Sequence, residues 1–148
     1  MINWLLKKFD DLTAKELYSI LQLRNEVFVV EQNCIFQDAD NKDQFSYHLM
    51  GWDGEKLIAY SRIIPPGTVY EFPSIGRVVT SPLARGNGSG KILMEESIKA
   101  IQKLFGDAAI QLGAQLYLKK FYESFGFIQS GDVYLEDGIR HIEMIRSV

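Results

Sequence analysis

Arg85-Gly86-Asn87-Gly88-Ser89-Gly90 lies between a β-like apolar run, Ser74 to Thr80, and a helix-like run, Lys91 to Phe105. Three glycines within five residues let the backbone turn tightly and bring its N–H groups close to a ligand. The helix that follows opens on unpaired amides and carries about half a positive charge, so an anion there gains about 0.3–1 kcal/mol plus hydrogen bonds. Arg85 adds a guanidinium beside the turn. Two other phosphate loops fail on these residues. A P-loop counted back from Gly90-Lys91 would start at Arg85 and end at Ile92, and a dinucleotide fingerprint would need glycine where Lys91 stands. An Arg-x-x-Gly-x-Gly turn between strand and helix remains, read either as a phosphate cradle or as a glycine-rich turn with no ligand.

The second informative stretch is Gln115 to Phe127, Gln-Leu-Tyr-Leu-Lys-Lys-Phe-Tyr-Glu-Ser-Phe-Gly-Phe. It reads as a short helix stopped at Gly126 that returns to strand. Together, Arg85 to Gly90 and Tyr122-Glu123-Ser124-Phe125-Gly126-Phe127 resemble the two signatures of the GNAT superfamily of N-acetyltransferases: an Arg/Gln-x-x-Gly-x-Gly/Ala loop and a later Tyr-x-x-x-Gly-Phe. The segments Leu23 to Cys34 and Ile110 to Gln115 look in addition like its ElaA-type branch. The likeness runs from about Trp4 to Arg146.

That resemblance implies an α/β fold in which a twisted mixed sheet of about seven strands is flanked by about four helices, with the fourth and fifth strands splayed apart. Acetyl-coenzyme A is the implied cosubstrate. The backbone of Val78, Val79 and Thr80 would line its pantetheine, and an N–H near Val79 would face the thioester carbonyl. Arg85, Gly86, Asn87, Gly88, Ser89 and Gly90 would hold the pyrophosphate, Gln115 would reach the cofactor, and Tyr122 would protonate the departing thiolate. A phenol of pKa about 10 against a thiol of about 8.5 leaves a mismatch of about 2 kcal/mol, which a desolvated site can offset. Tyr122 can also be read as a half-buried aromatic and no more. Two positions depart from the pattern. Ser89 replaces an aliphatic residue, its N–H expected to stay available, and Gln115 replaces an asparagine.

A primary amine, small molecule or peptide, is the implied acceptor. Glu31, His48 and His141 are candidate bases, Glu31 because it ends the amino-terminal helices bordering the cleft, the histidines because imidazole titrates near neutral pH. Arg24, on the apolar-periodic face of the first helix, either binds an acceptor carboxylate or pairs with a neighbouring acid. The reading is therefore a direct, sequential N-acetyltransferase. The alternative is a non-catalytic acyl-coenzyme A sensor on the same fold.

Composition bounds these readings. The chain has 148 residues, 47% hydrophobic, with 16 basic and 19 acidic side chains for a net charge of −3. One domain of this size buries about 70% of its unfolded surface. The charge balance excludes a basic nucleic-acid footprint and mildly favours cationic substrates. No run approaches a membrane span, and Met1 to Lys8 lacks a small-residue cleavage site, so a cytoplasmic monomer or homodimer is expected. Cys34 is the sole cysteine and reads as a small, partly buried apolar side chain. Asp38-Ala39-Asp40-Asn41-Lys42-Asp43 resembles a calcium loop, but Lys42 takes a ligand position and no glycine follows. A solvated acidic loop and no metal are expected.

The remaining sequence reads as alternating elements. A strand over Ile2 to Phe9 precedes a helix N-capped by Thr13 with Glu16 three residues on, whose Leu17, Ile20, Leu21, Arg24 and Phe28 keep helical spacing. Asp53-Gly54-Glu55-Lys56 joins strands Tyr47 to Trp52 and Leu57 to Ile64. After the loop, Leu93, Ser97, Ala100, Ile101 and Leu104 make a buried stripe. Strands are expected over Ala109 to Gly113, Phe127 to Leu135 and Arg140 to Ile145, the last two joined at Glu136-Asp137-Gly138.

Overall fold

The computed structural model describes Met1–Val148. Its strands are β1 (Asn3–Lys8), β2 (Tyr47–Asp53), β3 (Lys56–Ile64), β4 (Ser74–Thr80), β5 (Ile110–Gln115), β6 (Phe127–Gln129), β7 (Tyr134–Glu136) and β8 (Ile139–Arg146). Its helices are α1 (Ala14–Arg24), α2 (Ser89–Phe105) and α3 (Lys119–Glu123). All strands belong to one sheet, ordered β1-β2-β3-β4-β5-β8-β6, with β7 also on β8. The fold is mixed α/β.

Local chemistry sets the element ends. Thr13 Oγ1 accepts from the Glu16 amide at 3.1 Å while the Glu16 carboxylate accepts from the Thr13 amide at 2.8 Å, a closed capping box. Beyond Arg24 the helix widens into a π-type turn over Asn25–Glu31, closed by Gln32 N–H to Val27 O at 3.1 Å. That widening carries the chain from the sheet face to the rim of the later cleft.

Helices cover both faces. Ile20, Leu23 and Val27 pack on Met50, Tyr60 and Val79, whereas Leu93 of α2 packs on Leu49 and Ala59, the neighbours that point the other way. Each aliphatic side chain so buried contributes about 1.5–3 kcal/mol. The second and larger cluster joins Met94, Ile98 and Ile101 to Ile63, Ile110, Leu112 and Met144. Within this apolar layer the two serines satisfy each other: Ser97 donates to Leu93 O at 2.7 Å and lies 2.7 Å from Ser61 Oγ.

Three irregularities shape the sheet. β4 and β5 run parallel but pair only at Ser74↔Gln111 and then diverge. On the other side of β4, Tyr60↔Val79 is followed by Arg62↔Gly76, so Ser61 opposes both Arg77 and Val78 in a bulge with Arg77 at φ 49°. The strand expected over Phe127 to Leu135 is broken into β6 and β7. Between Gln129↔Met144 and Tyr134↔His141 one strand advances five residues and its partner three, a slip of two. Ser130-Gly131-Asp132 is a poor strand former and absorbs the slip. Eight strands result, one more than expected.

Candidate active site

The divergence of β4 and β5 opens a cleft of about 470 Å³. With Ser74 the last paired residue, the β4 edge from Gly76 to Thr80 faces this space with its amides and carbonyls unclaimed by β5. Val78, Val79 and Thr80 line the cleft together with Arg85, Gln115 and Tyr122. Residues far apart in the sequence meet here because parallel strands that part at their carboxyl ends leave a crevice.

The glycine loop sits where β4 hands over to α2. Gly86 and Gly88 have φ of 87° and 81°, a region that costs a side chain about 1–2 kcal/mol. The first intrahelical bond runs from Ile92 N–H to Gly88 O, which leaves the amides of Ser89, Gly90 and Lys91 without helical partners. The Ser89 amide is nevertheless not free. It donates to Asn87 Oδ1 at 3.2 Å, and the Ser89 hydroxyl bonds the same oxygen. The Asn87 carbonyl thus sits where an anion's oxygen would.

Tyr122 is 6% exposed, packs edge-on against Phe121 and Phe127, and lines the cleft. Burial, with Tyr117 nearby, pushes its phenol well above the ordinary range, so it stays protonated. Arg85 is held by Glu31, Nη1 at 2.8 Å and Nη2 at 2.6 Å, with both side chains about 40% exposed (43% and 40%). Gln115 Nε2 donates to Gln32 Oε1 at 3.3 Å. Cys34 is half-buried on the wall and its thiol lies 3.4 Å from Asp137 O.

The remaining sequence candidates divide. His141 is 8% exposed and lines the cleft. Its Nδ1 lies 2.8 Å from Ile139 O, and a carbonyl only accepts, so Nδ1 carries the proton and Nε2 the lone pair. Glu136 Oε2 is 3.6 Å from that Nε2, and Tyr134 stacks on the ring at 5.8 Å. His48 is different. It is fully buried, with Nε2 donating to Asp43 O at 2.9 Å and Nδ1 accepting from Tyr60 Oη at 2.7 Å. Burial lowers its pKa, and with both nitrogens engaged it borders no acceptor.

Arg24 takes the second of its two alternatives. At 0% exposure its Nε donates to Asp38 at 2.7 Å and its Nη1 to Asp43 at 2.7 Å. Asp40 takes both Nη atoms of Arg62 at 2.8 and 2.9 Å, Asp43 also takes Arg62 Nη1 at 3.0 Å, and Arg77 Nε lies 2.8 Å from Asp38. The expected solvated acidic loop is therefore a strap bound by its acids to α1, β3 and β4. Burial alone would raise the Asp40 carboxyl, but Arg62, the Lys42 amide and Arg77 drive it far below the carboxylate range.

The Acetyltransferase (GNAT) domain family matches residues 12–148. Protein ElaA of Escherichia coli K12 is 43% identical over 100% of this chain and 98% of its own length. The chain belongs to the GNAT family, in its ElaA-like branch. An acyl-CoA N-acyltransferase structure from Pseudomonas aeruginosa superposes with a TM-score of 0.95 at 45% identity, covering 99% of this chain and 100% of the other. An aminoglycoside 6'-N-acetyltransferase complexed with coenzyme A shares the fold at a TM-score of 0.70 and 16% identity, covering 96% of each chain. The splay, the bulge of β4 and the glycine turn thus belong to an acyltransferase-family scaffold. No helix of this GNAT chain is long and apolar enough to cross a membrane.

Several cleft residues escaped the sequence reading. Tyr70, Tyr134 and Glu136 line the cleft, and Asp38, Asp40 and Asp43 of the strap bind the lining residues Arg62 and Arg77. One signal was present: Arg62 and Arg77 stand inside apolar strands and, with Arg24, require three acids.

Proposed function

We propose that this GNAT protein transfers the acetyl group of acetyl-coenzyme A to a primary amine by direct attack. Coenzyme A fits the residues present. The pantetheine would extend the sheet along the unpaired edge of Val78, Val79 and Thr80, and the pyrophosphate would meet the amides of Gly90 and Lys91, displacing Asn87 Oδ1 from Ser89. The observation that carries the reading is Tyr122, a buried, protonated phenol on a cleft whose β4 edge has no strand partner.

The bonds balance simply. The amine lone pair forms the new C–N bond, the C–S bond breaks, and its electron pair leaves on sulfur. Tyr122 gives that sulfur a proton. The burial that raises the phenol also penalises the thiolate, so the two acidities move in the same direction. Of the three candidate bases, His141 alone has a free lone pair inside the cleft, since Glu31 holds Arg85 and His48 is closed. His141 would take the proton that the ammonium must lose before its nitrogen can attack, and the second proton, shed from that nitrogen as the C–N bond forms, would restore the Tyr122 phenol.

Thiol release with acetyl-coenzyme A and a panel of amines tests this. Tyr122→Phe is expected to lower kcat by about 10²–10⁴-fold while acetyl-coenzyme A affinity and Tm stay unchanged. Cofactor binding with no thiol release from any amine would instead favour a non-catalytic sensor. Full activity in Tyr122→Phe would remove the tyrosine from the chemistry.

A further inference from the structure

The acceptor end of the cleft is built to refuse a carboxylate. Three arginines line the cleft, and each is already answered: Arg62 by Asp40 and Asp43, Arg77 by Asp38 and Asp40, Arg85 by Glu31. Three guanidiniums, Arg24 included, meet three aspartates in the strap, so that cluster presents no net charge to a ligand. The opposite wall carries Glu136 and Asp137, beside the rings of Tyr70 and Tyr134.

We propose that the acceptor is a cationic alkyl- or arylalkyl-amine with no carboxylate on its amine-bearing carbon, rather than an α-amino acid. This rests on the acetyltransferase reading above. The ammonium enters between Glu136 and the His141 Nε2 lone pair, and its apolar arm lies against the rings of Tyr70 and Tyr134. His141 is the second mark of a ligand at this end: a side chain 8% exposed, with Nε2 unbonded and 3.6 Å from the nearest acid. The field there is uncompensated. The Tyr134 phenol is pushed up to about 12, first by burial and then by Tyr70, Glu136 and Glu143, and Tyr70 is raised by burial, Glu143 and Glu136. Burial there resists either charge, whereas the Glu136 and Glu143 carboxylates resist a bound carboxylate and favour an ammonium. Lys42 is the one cation on the wall without a carboxylate partner.

Matched pairs that differ only by the carboxylate decide it: tyramine against tyrosine, and phenethylamine against phenylalanine, with thiol release from acetyl-coenzyme A as the readout. The decarboxylated member is expected to have at least about ten-fold higher kcat/KM. Glu136→Gln should raise the KM for tyramine several-fold while the Kd for acetyl-coenzyme A holds. Equal or better use of the amino acids overturns the proposal. If Lys42→Ala then abolishes their use, the wall holds a carboxylate clamp. Thiol release to neither member of these pairs, or turnover with the wrong preference, refutes the acceptor class, whereas silence across the whole amine panel with acetyl-coenzyme A bound refutes the transferase reading itself.

Discussion

Replacing Asp43 with alanine removes the one carboxylate shared by two buried guanidiniums. Its Oδ1 accepts from Arg24 at 2.7 Å and from Arg62 at 3.0 Å, and Arg24 is wholly inaccessible. Deleting one partner of such a cluster leaves charge uncompensated in a medium that solvates it poorly, at about 3–5 kcal/mol. Domains of this size shift about 2–4 °C per kcal/mol, so Tm should fall by roughly 6–20 °C. Asp43→Asn keeps an oxygen for Arg24 and should cost less. The pH dependence has a definite sign. Burial would raise the Asp43 carboxyl, yet the hydrogen bonds and charges of Arg24 and Arg62 lower it on balance. A carboxyl with a lowered folded pKa gives stability that is present above its unfolded value, about 3.9, and lost as pH falls through the folded one. The gap between wild type and Asp43→Ala should thus hold from pH 7 to about 5 and close in strong acid. Thermal melts at pH 7 give the Tm and urea melts across that pH range give the stability gap, both followed by circular dichroism. A Tm within about 2 °C of wild type at pH 7, well below that 6 °C minimum, would refute the reasoning.

Three further outcomes follow from the cleft. A Cβ on Gly113 would lie 2.8 Å from Tyr134 Oη and 3.6 Å from Tyr70 Oη, so Gly113→Ala should push Tyr134 off His141 and raise the amine KM several-fold with cofactor Kd unchanged; isothermal titration and initial rates separate the two. Glu31→Gln releases Arg85 from its bidentate partner and should tighten coenzyme A binding, with Tm nearly unmoved because the pair is two-fifths exposed; weaker binding would mean that Arg85 serves as a strut to the π-type turn. His141→Gln should lower kcat/KM by about 10²-fold or more with the acetyl-coenzyme A Kd unchanged, and an unchanged kcat/KM would point to another base.

The parts of this molecule that could be read in its sequence are those decided within a few residues. The Thr13–Glu16 box, the Asp53–Lys56 hairpin, the glycine turn and the α2 stripe are local, and the structure has each where periodicity and turn chemistry put it. The strap was misread because its partners lie 14 to 39 residues away on three different elements. A run of aspartates is solvated by default, and only the sight of Arg24, Arg62 and Arg77 on buried faces reverses that expectation. Tyr134 escaped for another reason. An uninterrupted strand from Phe127 would have set Tyr134 opposite Ile139, whereas the slip of two residues keeps its face and moves it along the partner strand to lie opposite His141.

The bulge in β4 connects these features. A non-glycine residue at φ 49° costs about 1–2 kcal/mol, and Arg77 takes that conformation within the bulge between β3 and β4. The ion pairs of Arg77 with Asp38 and Asp40, and its guanidinium lying 5.8 Å over the Phe36 ring, hold the strained residue in place. The extra residue lets Val79 enter the α1 core opposite Tyr60 while Gly76 stands opposite Arg62 on that same face, an arrangement that a regular strand gives to residues of equal parity only. β4 has already parted from β5 after Ser74, and the bulge lies within the open edge that borders the cleft. The same arginine that anchors the strap therefore stands in the bulge of β4, so the strap and the irregular stretch of strand beside the cleft are held by one strained position rather than by two independent devices.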